Sequence, residues 1–513
     1  MPMHLPSTDP QPLAPGLYAT DAFHRRPLFA VNGQVVRSWN EAHALHGPAR
    51  LEDVNPVYVA ALISGNHNAE AAPYTRIRRL PRAHHVHVGG DGTVQTSAYD
   101  PLADGAGPMD PETLHAFLRQ GLLDHISQAL EGHNGPVACE HSSGLDSNAV
   151  LGALRHGLGV PAERIHTWSN ENGGERQPLQ VFRPFHALLP EQCISSDILK
   201  EEGRPDQNQL NAQQLAVFGA PAQIGGLPWP LQLFQQRGCS VVFSGFGGDQ
   251  ALSHNAANVP SDLVALGRWR ALIQWVGGSR RQALKTGAGR VLALGWRPWA
   301  ERKVLERTKD FCRSDLLMEA LTDEGRRWLG AHLQDHYPWE IDGYLRQHVS
   351  IRRRVLADWV AVRAEEETRL AAAHGMAKAF PLLDERSIAT LLHQDPALFG
   401  EGAGRGRLLH RKAFSSFLPP MLRANPTKDR DPEGGLEQWR SELAQSRRRE
   451  LRASLEQLNA WHPWIGRIWK LDAVQRRLDV VAEDDEGSLQ DVMGAHSSLQ
   501  ALKSLNSWAM SAE

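Results

Sequence analysis

Ser142-Ser143-Gly144-Leu145-Asp146-Ser147 and Ser244-Gly245-Phe246-Gly247-Gly248-Asp249 are two runs of small residues, each carrying one aspartate. Side chains this small let backbone N–H groups approach a phosphate, and a neighbouring carboxylate can share a divalent cation with phosphate oxygens. The chemistry such a pair would serve is that of a nucleoside triphosphate with Mg2+. Taken alone, a Gly-rich turn between a strand and a helix occurs in many folds with no ligand, and a single Asp beside it is most often a helix cap.

The elements that would position these runs are legible beside them. Pro136-Val137-Ala138-Cys139 predicts a buried strand ahead of the first run, and the apolar residues from Ala149 to Leu154 predict a helix after it. Val241-Val242-Phe243 predicts a second strand ending at the second run, and Ile165 to Ser169 a third strand. A small-residue loop opening a helix also gains from the positive end of the helix dipole. Leu114 to Leu130 has helical periodicity, with Phe117, Leu118, Leu122 and Ile126 on one face.

With both runs in place the chain resembles the asparagine-synthetase family of ATP pyrophosphatases, whose SGGLDS stands here as Ser142 to Ser147 and whose SG-x-G-x-D stands as Ser244 to Asp249. A third block, Gly375-Met376-Ala377-Lys378-Ala379-Phe380-Pro381-Leu382-Leu383-Asp384, resembles the family's G-x-E-x-R-x-P-x-L-D. The fourth runs through Gly406-Arg407-Leu408-Leu409-His410-Arg411-Lys412-Ala413 and Leu418-Pro419 to Pro426-Thr427-Lys428. The resemblance implies an α/β fold: a C-terminal parallel-sheet PP-loop synthetase domain with helical additions, and a small, mainly β N-terminal domain like a trimmed Ntn glutaminase domain. Boundaries of 1–108 and 109–513 follow, with a basic helical insertion at about 255–350.

The same resemblance implies ATP and Mg2+ as cofactors. A substrate carboxylate would be adenylated with release of pyrophosphate, and an amine would then attack to give an amide. Asp146 and Asp249 would hold the metal, and Ser142, Ser143, Gly144 and Ser147 would cradle the pyrophosphate. Ser244, Gly245, Gly247 and Gly248 would complete the nucleotide site, with Trp168 on the strand where the family binds adenine. Lys428 would join the two aspartates in catalysis by stabilising charge on the adenylate and the tetrahedral intermediate.

Departures from the family pattern narrow the amine. Glutamine-using members begin the mature chain with a cysteine, whereas Met1 is followed here by Pro2 and the four cysteines are Cys139, Cys193, Cys239 and Cys312. No thiol for releasing ammonia from glutamine is therefore expected. Some amine-cyclising relatives pair a Tyr in the second glycine block with a Glu in the third; Phe246 and Ala377 stand there instead, and Ala379 replaces the Arg. Glu365, Glu366 and Glu367 precede the third block and offer a substitute, although a run of carboxylates is more often a solvated face.

The N-terminal region repeats the pattern of likeness with loss. Thr75 to Val88 loosely resembles the family's strand before the domain junction, Gly89-Gly90-Asp91-Gly92 predicts a hairpin turn, and Thr93 to Tyr99 a returning strand. His84, His85 and His87 are expected on a surface rather than at a metal, because alternate strand residues face opposite sides. Asp100 to Pro111 reads as a linker, and Met1 to Gly16 as a tail or extended arm.

Composition bounds the partners. The chain has 513 residues, 41% hydrophobic and 22% charged, as in a soluble globular protein of two domains. Its net charge of −3 gives no overall attraction to nucleic acid. No transmembrane segment is expected, and unspaced cysteines point to reduced thiols in the cytoplasm. Between Gly267 and Ser314 arginines and lysines outnumber acids and alternate with Trp269, Trp275, Trp296 and Trp299, which predicts a helical insertion with packed Trp and wet Arg side chains, with a surface for a peptide or partner protein as the alternative.

Among family branches the lasso-peptide cyclases fit best. They adenylate an Asp or Glu side chain of a precursor peptide and close it on the peptide's N-terminal amine as a macrolactam. The precursor peptide, a leader-binding protein and a leader peptidase are the partners this branch implies. An asparagine synthetase-like or beta-lactam synthetase-like enzyme using ammonia or a small-molecule amine remains as an alternative. So does a decayed nucleotide-binding partner protein, for which Ser143, Asn148 and Ala377 would mark the decay.

Overall fold

The computed structural model describes residues 10–47, 50–171, 176–196, 207–226, 228–252, 256, 258–295, 317, 319–332, 346–400, 402, 406–424, 435–455, 461–484 and 489–511. In chain order the strands of the N-terminal region are β1 (Gly16–Thr20), β2 (Phe29–Val31), β3 (Gln34–Val36), β4 (Arg78–Arg79), β5 (His84–Val88) and β6 (Val94–Ala98). They pair into two antiparallel sheets ordered β1-β5-β6 and β3-β2-β4. The expected hairpin closes at Gly89, whose N–H donates to the Thr93 carbonyl at 2.8 Å. His85 and His87 are exposed on β5, and among the described residues no group of three or more His, Cys, Asp or Glu is arranged to hold a metal.

The helix Pro111–Leu130 starts where Asp110 accepts from the Thr113 N–H and Pro111 fixes the first turn. Its buried residues, Leu114, Leu118, Leu122 and Ile126, recur every fourth position and lie on the main core. The central sheet follows: β7 (Val137–Glu140), β8 (Ile165–Asn170), β9 (Cys193–Ser196), β10 (Val241–Phe243) and β11 (Ala377–Ala379). All five are parallel, in the order β11-β10-β7-β8-β9.

Strand alternation splits the burial of that sheet between two layers. Val137, Cys139, Ile165, Val241 and Phe243 enter one core with the helix Leu145–Gly152. Ala138 and Val242 enter another, with Val217, Phe218, Leu370 and Met376. Being covered on both faces is what a parallel sheet requires, and it explains why β7 and β10 read as continuous apolar runs.

The segment from Asp100 to Pro111 is more than a connection. A Cβ on Gly105 would stand 2.3 Å from the Ala389 carbonyl oxygen. The Ala106 and Met109 N–H groups donate to Thr390 Oγ1 and Gln394 Oε1 at 3.1 and 2.9 Å. A further core joins Phe29, Trp39, Tyr58 and Tyr74 to Trp469, Leu499, Leu502 and Trp508, so N-terminal and C-terminal residues share one apolar cluster. Among the described residues no helix is long and apolar enough to cross a membrane.

Candidate active site

β7 and β10 are adjacent in register, Ala138 with Val242 and Cys139 with Phe243, so the loops leaving their C-terminal ends meet. The contact is close: backbone to backbone at Gly245, and backbone to the Asp146 side chain at Gly248. A Cβ on Gly245 would lie 2.6 Å from the Ser147 nitrogen, and one on Gly248 would lie 2.3 Å from Asp146 Cγ and Oδ1. Only glycine admits that approach, which is the physical reason for the second small-residue run.

The first loop is held from within. Ser147 Oγ accepts from the Ser142 N–H at 3.1 Å and lies 2.9 Å from Ser142 Oγ, while the Gly144 N–H donates to Ser142 Oγ at 3.2 Å. Asn148, fully buried, donates through Nδ2 to the Ser142 and Gly144 carbonyls, both at 2.8 Å. Its Oδ1 faces His141 Nε2 at 3.3 Å and His186 Nε2 at 3.0 Å. Burial is the main force pushing the His141 pKa down to about 4 and that of His186 to about 2, so both rings are neutral near pH 7. Asn148 therefore staples the loop. The helix Leu145–Gly152 opens at Gly144, which has no side chain to cap it, so its positive end faces the loop.

Both aspartates face side chains from the fourth block. His410, fully buried, brings Nδ1 to 3.1 Å from Asp146 Oδ1. Arg407 brings Nη2 to 3.1 Å from Asp249 Oδ1. Arg407 adopts a left-handed backbone, φ 63°, where it opens the helix Leu408–Ala413, a conformation that costs a non-glycine residue about 1 kcal/mol or more. Sequence reasoning missed these two residues, although the block that holds them was visible. Lys428 lies outside the described residues.

Trp168 sits on β8 opposite Glu140 of β7 and packs edge-to-face on Trp229, with centroids 5.8 Å apart. Ser244 directs its proton to Glu140 Oε2 at 2.5 Å and accepts from the Phe246 N–H at 3.2 Å, so it holds its own turn in shape. Phe246 is buried against Trp359 and Phe380, with the Arg363 guanidinium 4.2 Å from its ring centre.

The three successive carboxylates do not form a solvated face. Glu365 pairs with Arg79 at 3.1 Å and Arg369 at 3.6 Å. Glu366 accepts from the backbone N–H groups of Gln223, Ile224 and Gly225 at 2.8 to 3.0 Å. Glu367 accepts from Arg363 Nε at 2.6 Å and lies 3.2 Å from Lys378 Nζ. Each is tied into the interior by these partners.

In the basic segment, Trp275 packs partly against the main core while Trp269 stays 43% exposed, and Arg268 pairs with Asp395. Trp296 and Trp299 lie outside the described residues. The expectation of packed Trp and wet Arg holds for one of the two tryptophans that can be placed.

The donor set fits Mg2+ bound with a triphosphate. Two carboxylates on adjoining loops leave the remaining positions to phosphate oxygens and water, which suits a small octahedral ion better than a protein cage would. A profile for asparagine synthase matches residues 118–508. Comparison with curated proteins gave no significant match. The matched stretch covers the central sheet, both glycine loops and the block carrying Arg407 and His410, and the chain belongs to the asparagine synthase family, whose members form amides at the expense of ATP.

Proposed function

We propose that this chain activates an Asp or Glu side chain of a precursor peptide as an acyl-adenylate and closes it on the peptide's N-terminal amine, giving a lasso-peptide macrolactam. In this reading Asp146 and Asp249 hold Mg2+, the loop from Ser142 to Ser147 receives the pyrophosphate, and Trp168 flanks the base. Magnesium, when bound, draws charge from the phosphate oxygens and orients the triphosphate. Lys428 is assigned to the developing charge on the reacting oxygens. The N-terminal sheets serve as a scaffold derived from a trimmed glutaminase domain.

One observation carries the choice of amine: at the second glycine loop the ring is Phe246, buried among Trp359, Phe380 and Arg363 with no hydroxyl to give or take a proton. Ala377, at the family's Glu position, adds no carboxylate. A site without that base suits an α-amine, whose ordinary pKa of about 7.7–8.0 leaves much of it neutral near pH 7.5. The test incubates purified protein with ATP, Mg2+ and linear precursor peptides carrying either a free or an acetylated N-terminus. The expected result is loss of one water and formation of AMP and pyrophosphate from the free form only. Amide formation from ammonium in place of a peptide amine would replace this reading with the asparagine synthetase-like one.

A further inference from the structure

Beside the two aspartates lies a run of paired charge, centred on a buried lysine, that the proposed chemistry does not use. Lys378 of β11, with a side chain 3% exposed, bonds Glu140 Oε1 at the end of β7 and lies 3.2 Å from Glu367 Oε2. Glu140 accepts the Ser244 proton through its other oxygen, at 2.5 Å. Glu367 in turn takes the Arg363 Nε–H at 2.6 Å, and the Arg363 guanidinium stacks 4.2 Å from the centre of the Phe246 ring. The path Ser244, Glu140, Lys378, Glu367, Arg363, Phe246 alternates in charge. It starts and ends on one glycine turn.

We infer that this chain of charges is a clamp that fixes the second glycine turn, and with it Asp249, against the first loop, making Lys378 a positioning residue for metal-nucleotide binding. The inference rests on the proposed nucleotide site. The two carboxylates and two cations cancel, so the group offers little net attraction for a charged ligand and its consequence is geometric. Burial alone would lower the Lys378 pKa; the two carboxylates outweigh that and hold it above the ordinary value. A buried charge stays in place only while its partners do, so removing one member is felt along the whole path. The turn it holds is crowded: Gly245 presses on the backbone of Asp146 and Ser147, and Gly248 on the Asp146 side chain, at distances a Cβ would not tolerate. Ala377 and Ala379 flank Lys378 where the family pattern has Glu and Arg, so the charge of this strand resides in the one residue between them.

The test uses the full chain and reads ATP affinity by calorimetry with Mg2+ and with EDTA, alongside the melting temperature. The variants are Lys378→Met, Glu140→Gln and the double variant. Lys378→Met is expected to bind ATP in EDTA about as the wild type does, but to lose about tenfold of the affinity that Mg2+ adds. The double variant, which removes a positive and a negative charge together, is expected to regain part of it. A folded Lys378→Met with an undiminished Mg2+ gain overturns the clamp. Should Lys378→Met fail to fold, an undiminished gain in Glu140→Gln does the same. A wild-type chain that binds no ATP with Mg2+ overturns the nucleotide site itself and the clamp with it.

Discussion

At the scale of single residues each aspartate of the site has a close side-chain partner. Asp146 faces His410 and Asp249 faces Arg407, each at 3.1 Å, so neither carboxylate waits in solvent for a metal. Both partners belong to one short segment, residues 407–410. Asp146→Asn keeps the shape and the loop hydrogen bonds of Ser142, Ser147 and Asn148 while removing the charge. The expected outcome is a fall of about 100-fold or more in ATP–pyrophosphate exchange with an unchanged melting temperature. Exchange at the wild-type rate would remove Asp146 from the metal site. Much of this was legible in the sequence, because small residues and one Asp at a strand end are a local signal. The partners were not: Arg407 and His410 lie more than 150 residues beyond Asp249, and nothing in their own spacing says which carboxylates they meet.

Among elements, the first loop owes its shape to what lies behind it. The end of β7, the helix Leu145–Gly152 and the segment after the helix Arg176–Phe185 converge on Asn148, with His141 and His186 as neutral neighbours. Both histidines have folded pKa values below their unfolded value of 6.5, about 4 for His141 and about 2 for His186. The unfolded chain therefore takes up protons below pH 6.5 that the folded chain refuses, so stability present above that pH is lost as the pH falls toward 4. Each buried ring contributes a slope of about 1.4 kcal/mol per pH unit through that window. Melting curves from pH 7 to pH 5 are expected to fall more steeply for the wild type than for His186→Leu. Parallel curves would mean that His186 is protonated as easily folded as unfolded. The strands and the helix Pro111–Leu130 were readable from periodicity, yet the packing of residues 100–111 on the helix Glu385–Leu391 was not, since its hydrogen bonds go to residues nearly 300 positions away.

For the whole molecule the question is what joins the N-terminal sheets to the synthetase sheet. Arg79 of β4, with a side chain 6% exposed, reaches Glu365 on the helix Asp358–Ala373 and also donates to the Ala69 carbonyl at 2.9 Å. Arg82 donates to Asp358 on the same helix, and Tyr58 and Tyr74 donate to the backbone of Pro221 and Gly219. In sequence, Glu365 to Glu367 resembled a wet face because a run of like charge carries no mark of distant partners; Arg79, which pairs with Glu365, is 286 positions away. The helix these carboxylates occupy supports β11 on one side and the N-terminal region on the other, so the junction and the clamp around Lys378 share one element. Arg79→Met leaves Glu365 buried with Arg369 alone at 3.6 Å, and the expected cost is about 3 kcal/mol, because an uncompensated buried charge is more expensive than the pair was worth. In urea unfolding the midpoint should move down accordingly, and Arg79→Met combined with Glu365→Gln should recover part of the loss. Because Glu367 keeps Lys378 and Arg363 in both variants, nucleotide exchange below the unfolding transition should stay near the wild-type rate. A variant as stable as the wild type would instead assign the joining of the two regions to the apolar cluster around Tyr74 and Trp508 alone.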